Sequence, residues 1–115
     1  LGGCPLASAV ACASWAEGKP IDAVYIRKSS KEHGTRKLLE GADRLGPEAK
    51  LVIVEDTVTT GGSTLRAVRA VRDAGFDVAG VIAVVDRLEG GAAAIREAGV
   101  KFSTLYDRTD FMGVD

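Results

Sequence analysis

One segment constrains the fold more than any other. Leu51-Val52-Ile53-Val54 is an unbroken apolar run that stops abruptly at two adjacent carboxylates, Glu55-Asp56. Consecutive apolar side chains without polar alternation predict a strand covered on both faces, as in the centre of a parallel sheet. This strand is bounded at Lys50 to Asp56. The residues that follow, Thr57-Val58-Thr59-Thr60-Gly61-Gly62-Ser63, are rich in hydroxyls and glycine. A helical pattern then runs from about Ser63 to Ala74, with Leu65, Val68 and Val71 inward and Arg66, Arg69 and Arg72 outward. Gly75 suits its end. Strand, tight turn and helix in that order make an α/β unit, and ligands bind at the carboxyl edge of such sheets.

The rest of the chain repeats the alternation. Small residues predict a helix from Pro5, which suits a first turn, to about Ala16, and Ile21 to Arg27 reads as a strand. Ser29 to Pro47 has no sustained period, many charges and three glycines (Gly34, Gly41, Gly46), the composition of a functional loop. Val78 to Val85 is a second buried strand ending in Asp86-Arg87, followed by a Gly90-Gly91 break. A short helix (Ala92 to Ala98), a strand (Val100 to Tyr106) and a polar tail complete the pattern. At 115 residues, 46% of them hydrophobic, the chain suits one domain over 1–115. The expected architecture is α/β, a mostly parallel central sheet flanked by helices, with a flexible loop at about 28–47.

Composition excludes several functions. The 15 Lys and Arg nearly balance 16 Asp and Glu, a net charge of -1, which rules out a polycation that coats nucleic acid. No apolar run reaches the roughly 18 residues of a membrane span. Cys4 and Cys12, in an Ala-rich stretch, read as small apolar side chains on one helix face rather than as a disulfide or metal pair. His33 is the single histidine, which excludes a His-rich metal site and gives no support to a Ser/His/Asp triad. The sequence opens Leu1-Gly2-Gly3 with no initiator Met, basic n-region or apolar signal region, and reads as starting within a domain; the cytoplasm is the expected compartment.

The turn after the carboxylates is suited to a phosphate. Glycines let the backbone approach closely, and the helix start offers unpaired N–H groups and a positive dipole end. Glu55 and Asp56 would repel a phosphate alone, but they accept hydrogen bonds from a sugar's cis-diol or accompany a divalent cation, so a sugar phosphate fits the whole segment. The competing reading is that Thr59, Thr60 and Ser63 simply cap a helix. A Walker P-loop is absent because no Lys stands between Gly62 and Ser63-Thr64, and no G-x-G-x-x-G occurs. Between Arg27 and Lys37 lie five cations (Arg27, Lys28, Lys31, Arg36, Lys37) with Glu32 and His33. They form either a solvated loop or a mobile cationic lid over an anionic leaving group. Arg87 ends the second buried strand at the same edge, where a planar guanidinium matches a planar ligand bearing carboxylate or carbonyl oxygens; a surface ion pair with Glu89 is the alternative.

Three segments carry a family resemblance. Val54-Glu55-Asp56-Thr57-Val58-Thr59-Thr60-Gly61-Gly62-Ser63 resembles the phosphoribosyl-pyrophosphate motif of type I phosphoribosyltransferases. Tyr25-Ile26-Arg27-Lys28-Ser29-Ser30-Lys31-Glu32-His33-Gly34 and Val85-Asp86-Arg87-Leu88-Glu89-Gly90-Gly91 are similar to segments of the orotate phosphoribosyltransferases within that family. The resemblance implies a type I phosphoribosyltransferase core and transfer of ribose-5-phosphate from phosphoribosyl pyrophosphate to orotate. It implies that Arg27, Lys28, Lys31 and His33 meet the pyrophosphate, with Lys31 and Asp56 catalytic. Glu55 and Asp56 would hold the ribose, residues 57–63 (Thr57, Val58, Thr59, Thr60, Gly61, Gly62, Ser63) would complete the phosphoribosyl site, and Thr59 and Arg87 would hold orotate. It further implies Mg²⁺ carried by the substrate rather than by a protein site, and a homodimer whose loop acts across subunits, with neither nucleic acid nor membrane as partner. Two features depart from the family: a preceding segment that helps cover the base is not in this sequence, and Gly2 stands where a Lys is common. Alternatives are a phosphoribosyl-pyrophosphate-binding module without full catalysis and a purine-type phosphoribosyltransferase.

Overall fold

The apolar run around Ile53 does form the expected strand, and that strand organises the molecule. The computed structural model describes residues 3–27 and 38–111. In chain order these hold α1 (Gly3–Ala16), β1 (Tyr25–Ile26), β2 (Leu39–Glu40), β3 (Lys50–Val58), α2 (Gly62–Asp73), β4 (Asp77–Asp86), α3 (Gly91–Glu97) and β5 (Phe102–Asp107). Short 3-10 turns lie at Ala42–Arg44 and Arg108–Asp110. β3, β4 and β5 form a parallel sheet in that order, with Ile53 opposite Val81 and Val81 opposite Phe102. The fold is thus a parallel sheet flanked by helices.

Two strand assignments differ from expectation. The run Leu51–Val54 predicts a central strand, but among the described strands β4 is the one paired on both sides, and β3 is at the edge with Val52 half exposed. A continuous apolar run reports what lies above and below a strand, not whether both its edges are hydrogen-bonded. Both α2 and α1 pack against β3, and a Cβ on Gly3 would come within 2.5 Å of the Val54 carbonyl oxygen. The strand expected at Ile21–Arg27 is reduced to Tyr25–Ile26, and it pairs antiparallel with β2 instead of joining the main sheet. The chain before it is tied to the end of α1 instead: Ser14 Oγ donates to the Ala11 carbonyl at 2.7 Å and accepts from the Ile21 N–H at 2.8 Å.

The core has two parts. Ile53, Val58, Val81, Ala83 and Phe102 of the sheet meet Val68 of α2 and Ile95 of α3, which fixes both helices to one face. A second cluster joins Leu39 and Ala42 to Val71 and Ala74 at the far end of α2. The segment expected as a loop at about 28–47 therefore has a packed second half: Leu39 is only 5% exposed, and burying such a side chain stabilises by about 1.5–3 kcal/mol. Its charges hid a short apolar anchor.

α1 contains no charged residue, and its sequence gave no polar face to mark the outside. Cys12, expected in the core, is a free and exposed thiol, and Val10 and Trp15 are exposed too. The Cys4 side chain lies outside the described residues. Among those residues no helix is long and apolar enough to cross a membrane.

Candidate active site at the carboxyl edge of the sheet

β3 runs two residues beyond its expected end, because Thr57 and Val58 continue the ladder opposite Val85 and Asp86. The turn is therefore only Thr59, Thr60 and Gly61. Gly61 sits in the left-handed region at φ 89° and begins the helix without a side-chain cap. The hydroxyls of Thr59, Thr60 and Ser63 thus do not cap α2, as the competing reading required. The first intrahelical bond is from the Leu65 N–H to the Gly61 carbonyl at 2.9 Å, which leaves the amides of Gly62, Ser63 and Thr64 without an intrahelical acceptor at the positive end of a 12-residue helix. Thr60, Gly62 and Ser63 are exposed and Thr59 half-buried. Unpaired amides and exposed hydroxyls therefore gather at the start of α2, an arrangement suited to an anion.

Strand alternation sends the two carboxylates to opposite faces. Glu55 lies on the α2 side, half-buried, and its Oε1 accepts from Thr64 Oγ1 at 3.2 Å. Desolvation pushes the Glu55 carboxyl above its ordinary range; the Thr64 hydroxyl opposes this and the Asp56 charge adds to it. Asp56 is exposed, and its Oδ1 accepts from the Thr57 N–H at 2.7 Å, so its other oxygen faces solvent. The Val58 side chain is 1% exposed within the core and its carbonyl accepts from the Arg87 N–H, which leaves it no side-chain role toward a ligand.

The β4–α3 turn is fastened to the β3–α2 turn. The Arg87 N–H donates to the Val58 carbonyl at 2.9 Å and the Gly91 N–H to the Thr59 carbonyl at 3.0 Å. A Cβ on Gly91 would stand 2.5 Å from Val58 Cγ1 and 2.6 Å from the Thr59 oxygen, so only glycine fits between the turns. This close approach gives the Gly90-Gly91 pair a second purpose that reading it as a break did not disclose. Asp86, 4% exposed, was also not singled out as structural: its Oδ1 accepts from the Leu88 N–H at 3.0 Å and folds the turn back on itself. Leu88 pays with a φ of 58°, unusual for a side chain of its kind. Arg87 is exposed, its Nε 3.4 Å from Glu89 Oε2, so the ion pair offered as an alternative is present.

Arg27 lies at the end of the β1 hairpin, where its Nε is 3.4 Å from Glu40 Oε2 and its N–H donates to the Leu38 carbonyl at 2.8 Å. Lys28, Lys31 and His33 lie outside the described residues. Among the described residues no group of three His, Cys, Asp or Glu side chains converges to hold a metal ion. The site therefore unites Glu55, Asp56, residues 59–63 and Arg87 at one sheet edge.

No protein-family model matches the chain. It is 55% identical over 112 residues to the orotate phosphoribosyltransferase of Sorangium cellulosum, covering 97% of this chain and 58% of that protein. Among solved structures it is similar to orotate phosphoribosyltransferase from Mycobacterium tuberculosis H37Rv, with a TM-score of 0.82 and 42% identity over 97% of this chain and 61% of the other. A crystal structure of the same mycobacterial enzyme in complex with 5-phospho-alpha-D-ribosyl 1-diphosphate gives a TM-score of 0.78 at 40% identity, covering 96% and 60% respectively. The chain spans about 60% of the length of the curated relatives it matches.

Proposed function

We propose that this chain, which belongs to the orotate phosphoribosyltransferase family, is the catalytic core of an enzyme that makes orotidine 5'-monophosphate from phosphoribosyl pyrophosphate and orotate in pyrimidine biosynthesis. One observation carries the proposal: a helix start with unpaired amides and uncommitted hydroxyls adjoins two strand-end carboxylates and an arginine at the same edge.

In this reading the amides and hydroxyls of 60–63 grip the 5-phosphate. Asp56 and the Glu55 oxygen not held by Thr64 accept hydrogen bonds from the ribose 2- and 3-hydroxyls. The C1–O bond to pyrophosphate breaks first, its electron pair leaving with pyrophosphate, and the orotate N1 then bonds to C1 while its proton is lost. Positive charge on the ribose ring is stabilised by the two carboxylates; negative charge on the leaving group is met by Lys31, with Arg27, Lys28 and His33. Arg87, with the Thr59 hydroxyl, receives the orotate and must exchange its Glu89 partner for the substrate's carboxylate. Mg²⁺ carried by the diphosphate, rather than by a protein site, would lower the charge that these cations must meet. We further propose that the chain acts as a homodimer in the cytoplasm, with residues 28–37 reaching a neighbouring subunit.

Loss of orotate absorbance in the presence of phosphoribosyl pyrophosphate and Mg²⁺ tests the reaction. Lys31→Ala and Asp56→Asn should each lower kcat by about 100-fold or more, the scale expected when a group stabilising transition-state charge is removed. An unmodified protein that binds phosphoribosyl pyrophosphate yet never consumes orotate would instead identify a binding module.

A further inference from the structure

Among the described residues Thr64 is one of three buried polar ones and is only 2% exposed. A buried threonine in a helix ordinarily satisfies its hydroxyl on the carbonyl one turn back. Thr64 instead reaches out of α2 to Glu55 on β3, at 3.2 Å. Its main chain belongs to the same helix start whose amides face the turn. One residue is thus attached to both halves of the proposed site: its backbone to the phosphate grip and its hydroxyl to a carboxylate of the ribose grip.

We propose that Thr64 is a positioning residue for phosphoribosyl pyrophosphate, acting through Glu55. The hydroxyl occupies Oε1, fixes the plane of the carboxyl group and leaves Oε2 in a single orientation toward the ribose. It also sets the separation between the strand end and the helix start. Phosphoribosyl pyrophosphate carries its 5-phosphate and its diol on one small ring, so both grips close together only if that separation is held. The bond also opposes the desolvation and the Asp56 charge that together push the Glu55 carboxyl above its ordinary range. The inference rests on the phosphoribosyl transfer proposed above and adds a residue to it.

The experiment compares Thr64→Val, which keeps the shape, with Thr64→Ser, which keeps the hydroxyl. Calorimetric titration with phosphoribosyl pyrophosphate and Mg²⁺ should show affinity about 10-fold weaker for Thr64→Val and mostly retained for Thr64→Ser, as for loss of one hydrogen bond to a charged group. In turnover, KM for phosphoribosyl pyrophosphate should rise more than kcat falls, with KM for orotate unchanged. Carbon-13 detection of the Glu55 carboxyl should find its titration moved to higher pH in Thr64→Val alone. In a Glu55→Gln background Thr64→Val should weaken binding no further, and this cycle decides the matter if the single variant folds poorly. Equal affinity in Thr64→Val and the unmodified protein, equal weakness in Val and Ser variants, an unmoved Glu55 titration, or additive losses in the cycle would each overturn the inference. If the unmodified protein does not bind phosphoribosyl pyrophosphate, the proposed function falls first, a result distinct from all of these.

Discussion

The two strand-to-helix turns of this protein are built on one plan and put it to different ends. Each follows a strand with a carboxylate near its end, each passes through a left-handed glycine, Gly61 at φ 89° and Gly90 at φ 95°, and each opens a helix on a second glycine, Gly62 or Gly91. After β3 the terminal carboxylate, Asp56, is exposed, and the turn hydroxyls stay clear of the helix cap. After β4 the carboxylate is buried: Asp86 holds the Leu88 N–H, and the arginine between them is exposed. One turn leaves its acid and hydroxyls at the surface; the other turns its acid inward beneath an exposed arginine. An acid at a strand end is therefore not by itself a ligand group. Both acids accept from a nearby backbone amide, so the difference lies in exposure: Asp56 stays at the surface and Asp86 is buried.

The two turns are also pressed together, and the sharpest way to break the comparison is to separate them. Gly91→Ala would drive a methyl group into Val58 Cγ1 and the Thr59 carbonyl, neither of which is a flexible side-chain end. We expect a loss of about 3 kcal/mol or more in denaturant unfolding, at the upper end of overpacking effects, and weakened binding at both turns together. A variant of unchanged stability would mean that the turns move independently.

Next in size is Asp86→Ala. It strands the Leu88 N–H and removes a charged acceptor from the interior, an effect of about 2 kcal/mol. Asp86→Asn, which retains an acceptor oxygen, should recover part of it. Because Asp86 belongs to the β4 turn, KM for orotate should rise while affinity for phosphoribosyl pyrophosphate stays close to normal. Equal losses for both substrates would show that the turns do not divide the work.

Much of this plan was legible in the chain because it is local. The stop from Val54 to Glu55-Asp56, the inner stripe of Leu65, Val68 and Val71, and Gly75 all act within a few residues of themselves, and the α2 boundaries shifted by only one residue. What was not legible depends on partners far along the sequence. The edge placement of β3, the pairing of Tyr25–Ile26 with β2, and the burial of Leu39 are decided by which segment lies alongside. Cys12 was misplaced because α1 has no polar face to break its symmetry. At the site, the grouping of Glu55, Asp56, residues 59–63 and Arg87 followed from strand ends and glycines. Thr64 and Gly91 did not, since one is a helix residue reaching sideways and the other is defined by the backbone it touches. Alternation of side chains along a strand did hold one clue: adjacent acids on β3 had to face opposite ways, which leaves Glu55 half-buried against α2 and Asp56 exposed.

The smallest effect should come from the residue that makes the second turn possible. Leu88 has a φ of 58°, and a left-handed leucine costs about 1–2 kcal/mol. The residue is 44% exposed, so its partial burial offsets only part of that cost. Leu88→Gly would relieve the strain and give back about 0.5–1 kcal/mol through greater freedom of the unfolded chain, leaving a net gain below about 1 kcal/mol. Chemical denaturation would read this as a slightly higher midpoint at unchanged slope. If the strain serves only to seat Arg87, KM for orotate should rise in the more stable variant, because glycine permits the turn without enforcing it. A more stable protein with an unaltered orotate KM would show that Asp86 alone holds the arginine in place, and that the contrast between the two turns lies entirely in their carboxylates.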